Sequence, residues 1–363
     1  MAYAPQNVGI RHVEFYTPSE CVSQVEMERR DACIGKYTIG LGQESMSVWD
    51  SERETAASMA LTVVSRLMES CCVTPDQIGR IAVGTESLTD TSKSVKTTLM
   101  RLMPGTASVE GVTHLNACYG GTDALLTTIA WMQSPAWNGR LAIVVATDMA
   151  VYAPGPAQAT GGAGAVAMLV GPDAPLVLEP RRATYCEDTH DFCKPVGSEF
   201  PVVNGKLSQT CYMRCLSACV QDIKADASAY KALLFHAPYC KLVKKAFLAS
   251  FGDEEEYFVK THPYLNAARQ CGNMYTASLY ASLAVLVSKG TLKVGDRIFL
   301  YSYGAGLIGS AFVLRCSDAV APCTSNVACL DNRALISLND GPSSPPVPGV
   351  YFRTAPDVYT VSS

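Results

Sequence analysis

The chain has 363 residues, 48% hydrophobic and 17% charged, with a net charge of −4 and a pI near 5.8. It is long enough to bury a large core and form about two domain-sized units, and it has no Lys/Arg stripe that would mark a nucleic-acid partner. No apolar stretch is long and pure enough to span a bilayer, and the fifteen cysteines, odd in number and scattered behind no signal peptide, read as reduced thiols of a cytoplasmic protein.

In chain order, residues 8–15 read as a first strand. Residues 31–43 place Gly35, Gly40 and Gly42 among β-branched and aromatic residues and read as loop and strand, with Lys36 a candidate anion contact. Residues 52–73 carry apolar positions at helical spacing, an amphipathic packing helix. The apolar run from Ile78 stops abruptly at Glu86. In α/β sheets the ligand crevice lies outside the carboxyl ends of the strands, which makes Glu86 a candidate base rather than a solvated loop residue. Ser92–Thr97 opens a helix with Lys93 and Lys96 near its start, where the dipole disfavours cations unless an anion is close.

Between a short strand at 111–115 and a helical run at 124–132 lies Cys118. A thiol titrates near about 8.5 when free, and the positive end of a helix is expected to lower it. Gly120 and Gly121 keep the approach open to a bulky acyl group. Most cysteines merely pack, so this turn taken alone leaves the two readings balanced. Arg140–Asp148 reads as a buried strand of the parallel type ending in an acid, and Thr160–Gly171 as a strand entered through glycines. Gly162, Gly164 and Ala167, and later Gly304, Gly306 and Gly309, fit a dinucleotide fingerprint by letter but lead into strands rather than helices, which excludes it.

The same order recurs downstream: Ala232–His236, Gly272–Thr276 with a helix from Ala277 to Lys289, Asp296–Ser302, the Gly304–Gly306 turn, and Leu307–Leu314. This implies duplication of one α/β unit about a pseudo-dyad, with units at 7–172 and 173–320 and a tail at 321–363 that is Pro/Ser-rich from Asp340 to Pro348. On that dyad Glu86 corresponds to His236, and Cys118 falls near Asn273. A cysteine, a glutamate, a histidine and an asparagine converging on one cleft form an acyl-transfer constellation.

Seven stretches then carry a resemblance: Gly35–Gln43, Gly84–Ser87, Ser92–Thr97, Asn116–Thr122, Phe235–Val243, Gly272–Thr276 and Ser302–Gly306. Together they resemble the 3-hydroxy-3-methylglutaryl-CoA synthase family of the thiolase superfamily, closest to its eukaryotic form, from residue 7 to about 316 in the family's order. The resemblance implies a thiolase-like α/β fold whose duplicated halves form a five-layered αβαβα sandwich. It also implies condensation of acetyl-CoA with acetoacetyl-CoA through an acetyl group on Cys118. Glu86 would deprotonate the acetyl methyl, and N–H groups at Cys118 and in the turn holding Ala305 would stabilise the enolate oxygen. His236, with Asn273, would serve the ketone carbonyl, a role suited to an ordinary imidazole near pKa 6.5.

By the same resemblance Thr160, Ser208, Lys241 and Lys245 are substrate contacts, the lysines suiting the phosphates of CoA. Asp148, Asp191 and Tyr275 support the site. No cofactor or metal is expected, CoA thioesters being substrates, and a homodimer is. His12, His114, His190 and His262 read as structural or exposed, and Cys211, Cys215 and Cys219, at helical spacing without a fourth ligand, as a packed face. The chain departs from the family at Ala305 (usually serine), Pro156, Cys193 and Cys33-Ile34, and is shorter between Phe251 and Gln270, which bears on the rim of the CoA entrance. Other readings are a thiolase, a β-branching synthase acting on a carrier protein, and an inactive shortened homologue. Glu86 argues against the first, the lack of a basic docking patch against the second, and retention of Glu86, Cys118, His236 and Asn273 against the third.

Overall fold

The computed structural model describes residues 5–320, 327–330, 333–338, 350–355 and 358–362. Its main strands are β1 (Gly9–Tyr16), β2 (Ile78–Gly84), β3 (Thr113–His114), β4 (Leu141–Ala150), β5 (Gly162–Gly171), β6 (Leu176–Cys186), β7 (Ala232–Phe235), β8 (Arg297–Gly304) and β9 (Ile308–Cys316). The helices that cover them are α1 (Ala56–Ser70), α2 (Gly120–Met132), α3 (Gly205–Ile223), α4 (Cys240–Phe251) and α5 (Ser278–Ser288).

Strands β4 and β5 are apolar on both faces, so each face needs its own cover. Val144, Ala146, Val166 and Met168 face one core with Leu125 and Ile129 of α2 and Leu279 and Leu283 of α5. Ile143, Val145, Ala165 and Ala167 face the opposite way, against Leu61, Val64 and Leu67 of α1. The second half repeats the division. Ile298, Leu300, Phe312 and Leu314 join the α2–α5 core, while Phe299, Tyr301, Ala311 and Val313 pack on Leu216 of α3 and Val243 and Phe247 of α4. The result is the expected five layers, α1, sheet, α2 with α5, sheet, α3 with α4. A helix covered on every side should be apolar all round, and Leu279 through Val287 of α5 are all buried.

Strand order across the sheet is β7-β8-β9-β6-β1-β5-β4-β2-β3. Reading outward from the centre, β1, β5, β4, β2 in one half match β6, β9, β8, β7 in the other, the order a duplication requires. The two half-sheets also join edge to edge, Gly9 opposite Val177 and Ile10 opposite Leu176, giving one nine-stranded sheet. Gly9 permits the junction, since a Cβ there would stand 2.0 Å from the Leu176 carbonyl oxygen.

Three expectations change. Residues 31–43 form turns rather than a strand, because Gly35 and Gly42 take φ of +80° and +74° and the Tyr37 and Thr38 N–H groups donate to the Glu28 carboxylate at 2.7 and 2.6 Å. Although burial opposes it, these donors hold that carboxyl down at about 2. The helix expected near Ser92 is Val95–Leu99; Lys96 needs no anion there, its Nζ donating to the Val109 carbonyl at 2.7 Å. Helix α2 begins at Gly120, four residues ahead of the apolar run.

The stretch between Phe251 and Gln270 folds as two short helices, Glu254–Lys260 and Asn266–Cys271. Described parts of the tail lie against the first half: Ala334 and Leu335 pair with Glu20 and Cys21, and the Tyr351 N–H donates to Thr62 Oγ1 at 2.9 Å. Asp340 to Pro348 lies outside the described residues. Cys211, Cys215 and Cys219 are buried on the face of α3 that packs on the sheet.

The end of β2 meets the start of α2 backbone to backbone, for a Cβ on Gly84 would stand 2.0 Å from the Gly121 nitrogen. Gly84→Ala therefore forces the strand and helix apart. We expect a loss of roughly 3 kcal/mol, measured from urea unfolding midpoints; an unchanged midpoint would contradict this packing.

Candidate active site

The turn from β3 into α2 puts Cys118 at φ +61°, a left-handed conformation that residues with a Cβ seldom adopt. This turns its N–H onto Glu86 Oε2 at 2.7 Å. Glu86 lies two residues beyond β2, so the close approach of β2 to α2 is what brings carboxylate and cysteine together. The Gly304 turn seats against the same corner: a Cβ on Gly304 would stand 2.2 Å from the Ala117 oxygen.

Behind Glu86 sits Asp148, fully buried at the carboxyl end of β4. Its Oδ1 accepts from Thr85 Oγ1 (2.8 Å), the Glu86 N–H (2.8 Å), and the Ser87 N–H and Oγ (3.1 and 2.9 Å). Its Oδ2 accepts from the Thr276 N–H of the other half at 3.1 Å. Burial pushes Asp148 up to about 6 against these donors. Burial, then the charge of Asp148, also raises Glu86 well above the usual carboxylate range, while the Cys118 N–H opposes the rise.

These carboxylates overturn the expectation of a lowered thiol. Burial, and then Glu86, Asp148 and Asp191, push Cys118 well above its ordinary value, so it rests as a thiol beside the Glu86 carboxylate.

From the second half come His236, Asn273, Tyr275 and Ala305. His236 follows β7, its N–H donating to the Tyr301 carbonyl and its carbonyl accepting from Tyr212 OH, both at 2.8 Å. Burial drives its imidazole down to about 3, so the ring is neutral at pH 7, not the ordinary imidazole expected. Its Nδ1 is buried without a partner among the described residues, and Nε2 is the nitrogen left to the cavity. Asn273 donates its N–H to the Thr160 carbonyl at 2.9 Å. Its Oδ1 accepts from the Tyr275 N–H (2.9 Å) and Ser278 Oγ (3.1 Å), which leaves the amide NH2 as its free donor.

The expected oxyanion donors are only partly available. The Cys118 N–H is taken by Glu86, and the Gly306 N–H by Asp191 Oδ1 at 3.1 Å. Asp191 also accepts from Tyr303 OH at 2.6 Å. Ala305, between them, keeps an N–H without a partner among the described residues.

A cavity of about 440 Å³ gathers Cys118, His236, Asn273, Thr160, Ser208, Tyr275 and Ala305. Glu86, Asp148 and Asp191 stand outside its lining. Lys241 and Lys245 also fall outside it: the Lys241 backbone N–H donates to the carbonyl of Leu41, a lining residue, at 2.9 Å, and Lys245 is exposed. Pro156 lines the cavity, Cys193 is exposed, and Ile34 is 75% exposed. His114 is structural, with Nδ1 2.7 Å from Asp123 Oδ2, and His190 is exposed.

An aromatic wall was missed from sequence. Tyr152 and Phe192 meet the Tyr275 ring edge-on with centroids 6.1 and 5.8 Å away, and all three line the cavity. Nothing in the spacing of three rings so far apart in sequence signals the contact. Tyr303 is different: alternation along β8 places it on the face of Tyr301, pointing it out of the central core.

Two family models, for the N-terminal and C-terminal parts of hydroxymethylglutaryl-coenzyme A synthase, match residues 4–175 and residues 176–253 with 251–337. The synthase erg13B of Aspergillus fumigatus is 43% identical over 87% of this chain and 84% of its own. The cytoplasmic synthase of Homo sapiens is 40% identical over 88% of this chain and 73% of its own. MvaS, solved in complex with 3-hydroxy-3-methylglutaryl coenzyme A, superposes with a TM-score of 0.92 at 28% identity over 99% of this chain and 100% of its own. The chain belongs to the hydroxymethylglutaryl-CoA synthase family.

Proposed function

We propose that this enzyme condenses acetyl-CoA with acetoacetyl-CoA and water, giving (3S)-3-hydroxy-3-methylglutaryl-CoA and CoA, through a thioester on Cys118. The observation that carries this reading is one cavity onto which a thiol, a neutral imidazole, an amide and a free backbone N–H all open, with a carboxylate adjoining the thiol. Relatives named hydroxymethylglutaryl-CoA synthase, and MvaS solved in complex with 3-hydroxy-3-methylglutaryl coenzyme A, support it.

Each step has a group suited to it. Glu86 accepts the thiol proton as Cys118 attacks the acetyl carbonyl, then passes it to the departing CoA sulfur. The raised basicity of Glu86 next serves to draw a proton from the acetyl methyl, a poor acid. The Ala305 N–H stabilises the enolate oxygen, and a backbone donor is indifferent to the loss of the family's serine hydroxyl. Asn273 and the neutral His236 donate to the ketone of acetoacetyl-CoA as the enolate adds to it. The alkoxide takes its proton from Glu86, since an imidazole driven down to about 3 keeps at pH 7 only the one N–H it offers as a hydrogen bond and lacks the acidic proton of an imidazolium. Water then cleaves the Cys118 thioester and releases the product.

Thr160 and Ser208 bind the acyl and pantetheine parts; Lys241 and Lys245 on α4 reach CoA phosphates from outside the cavity. Asp148, Asp191 and Tyr275 hold the reacting groups in place. We place the enzyme in the cytoplasm, like its human relative, without a cofactor. We further propose a homodimer, supported by β3 ending the sheet as an open edge between Val112 and Leu115, which are 54% and 66% exposed.

Intact-mass measurement tests the reaction. Acetyl-CoA should add one acetyl group, absent in Cys118→Ser, and acetoacetyl-CoA should discharge it; no uptake by the native chain would refute the thioester. Glu86→Gln should still form some acetyl-enzyme but condense it at least ~10²-fold more slowly, read by single-turnover product formation.

The buried imidazole has a stability signature. An unfolded histidine takes a proton near pH 6.5, whereas folded His236 resists until about pH 3. Between those values the unfolded state holds the extra proton, so stability falls with falling pH. His236→Gln removes this contribution. Its urea midpoint should drop less than that of the native chain between about pH 7 and pH 4, and equal drops would contradict the assignment.

A further inference from the structure

Outside the cavity, one short helix, Gln24–Arg30, sends buried polar side chains toward its mouth. Glu28 Oε1 accepts from the Tyr37 N–H (2.7 Å), the Thr38 N–H (2.6 Å) and Thr38 Oγ1 (2.9 Å), so a single carboxylate oxygen fastens the middle of the 35–43 turn. A second tie leaves the end of the helix. Tyr37 OH donates to Asp31 Oδ2 at 2.8 Å, Arg30 Nε donates to Asp31 Oδ1 at 2.7 Å, and Arg30 Nη2 reaches Gln158 Oε1 at 2.8 Å. From the first residue of the helix, Gln24 Nε2 donates to the Ala159 carbonyl at 2.7 Å.

Both ends of this brace border the cavity. Leu41 of the turn lines it, and so do Pro156, Ala157 and Thr160, which flank Gln158 and Ala159. Within the turn, the Leu41 and Gln43 N–H groups converge on the Tyr37 carbonyl, each at 3.3 Å, so fixing Tyr37 also fixes Leu41. Lys36, one residue earlier, is exposed on the outside of the same turn. The turn depends on its anchor because Gly35 and Gly42, at φ +80° and +74°, leave its backbone free to take other shapes.

On the basis of the condensation proposed above, we infer that Glu28 is a positioning residue for the CoA arm of the substrates. It touches no substrate itself. It holds the turn so that Leu41 meets the pantetheine and Lys36 faces the phosphates. The donors keep Glu28 ionised, down at about 2, and an ionised acceptor makes bonds roughly twice as strong as a neutral one. A wall ordered in advance spares the incoming thioester the cost of ordering it. The reacting groups are held elsewhere, Glu86 through Asp148 and His236 through Tyr301 and Tyr212. Loss of Glu28 therefore weakens binding of the long arm and leaves the acyl chemistry in place, the pattern of a binding contribution common to ground state and transition state.

The test follows acetylation of Cys118 by intact mass with two donors: acetyl-CoA, and S-acetyl-N-acetylcysteamine, which lacks the phosphates and most of the pantetheine. Glu28→Gln should raise the acetyl-CoA concentration for half-maximal rate at least about tenfold, with the limiting rate within about twofold of native. With the short donor, half-saturation should shift less than about twofold. Tyr37→Phe keeps the ring and removes only the hydroxyl on Asp31, and it should shift acetyl-CoA in the same direction by less. An equal shift for both donors, a lower limiting rate at unchanged half-saturation, or no shift in either variant would overturn the role of Glu28 while the thioester stands. Failure of the native chain to take an acetyl group from either donor would refute the thioester itself, and this role with it.

Discussion

A single buried carboxylate holds the two halves of the site in register. Asp148 gathers donors from Thr85, Glu86 and Ser87 on one side and from Thr276 on the other. A buried carboxylate is costly unless its oxygens are satisfied, so any movement of these loops leaves charge uncompensated in the core. The Glu86 loop and the Asn273–Thr276 loop are thus fastened to one point. The join is reinforced where Gly121 N–H donates to Thr276 Oγ1 at 2.6 Å and where Gly272 lies so close that a Cβ would stand 1.8 Å from the Gly161 oxygen. The site is accurate because it sits where two rigid units interlock.

Around that point burial first, and the neighbouring carboxylates after it, disfavour further negative charge, with Lys194 opposing them at Glu86. Glu86, Asp148 and Asp191 all raise the Cys118 thiol, and Asp148 raises Glu86. Burial and crowding make a carboxylate bind a proton more tightly, so Glu86 is a stronger base than a solvated glutamate, and they keep the Cys118 sulfur protonated. The histidine opposite is neutral for a matching reason, since no carboxylate compensates the burial of its cation. At His12 the reverse holds: Cys71 and then Glu14, whose buried carboxylate lies 3.0 Å away, outweigh burial and hold the imidazole up at about 9. One residue type takes opposite states in one chain, according to its neighbours.

Much of this was legible in the residues. The apolar strand runs before Glu86 and Asp148, the glycine turns, and their recurrence downstream are local patterns, and they placed Glu86, Cys118, His236 and Asn273 together through the duplication alone. Harder to read were elements whose backbone donors are spent on side chains. The 31–43 segment has strand-like composition, but its N–H groups go to Glu28, a residue whose letter gives no hint of such a role. The lysines of α4 show a similar limit, since residue type suggests phosphate contact while helix position decides whether the cavity is within reach.

What the sequence determined by itself was the order of elements and which groups meet at the cavity, because hydrophobic period and glycine placement are short-range properties of the chain. Only the tertiary structure decided the charge state of each group and which donors remain free. The thiol of Cys118 is raised rather than lowered, His236 is neutral, and the Ala305 N–H is open while those of Cys118 and Gly306 are occupied. Those outcomes depend on desolvation and on charges brought together from positions far apart in sequence, and neither exists until the two halves have packed.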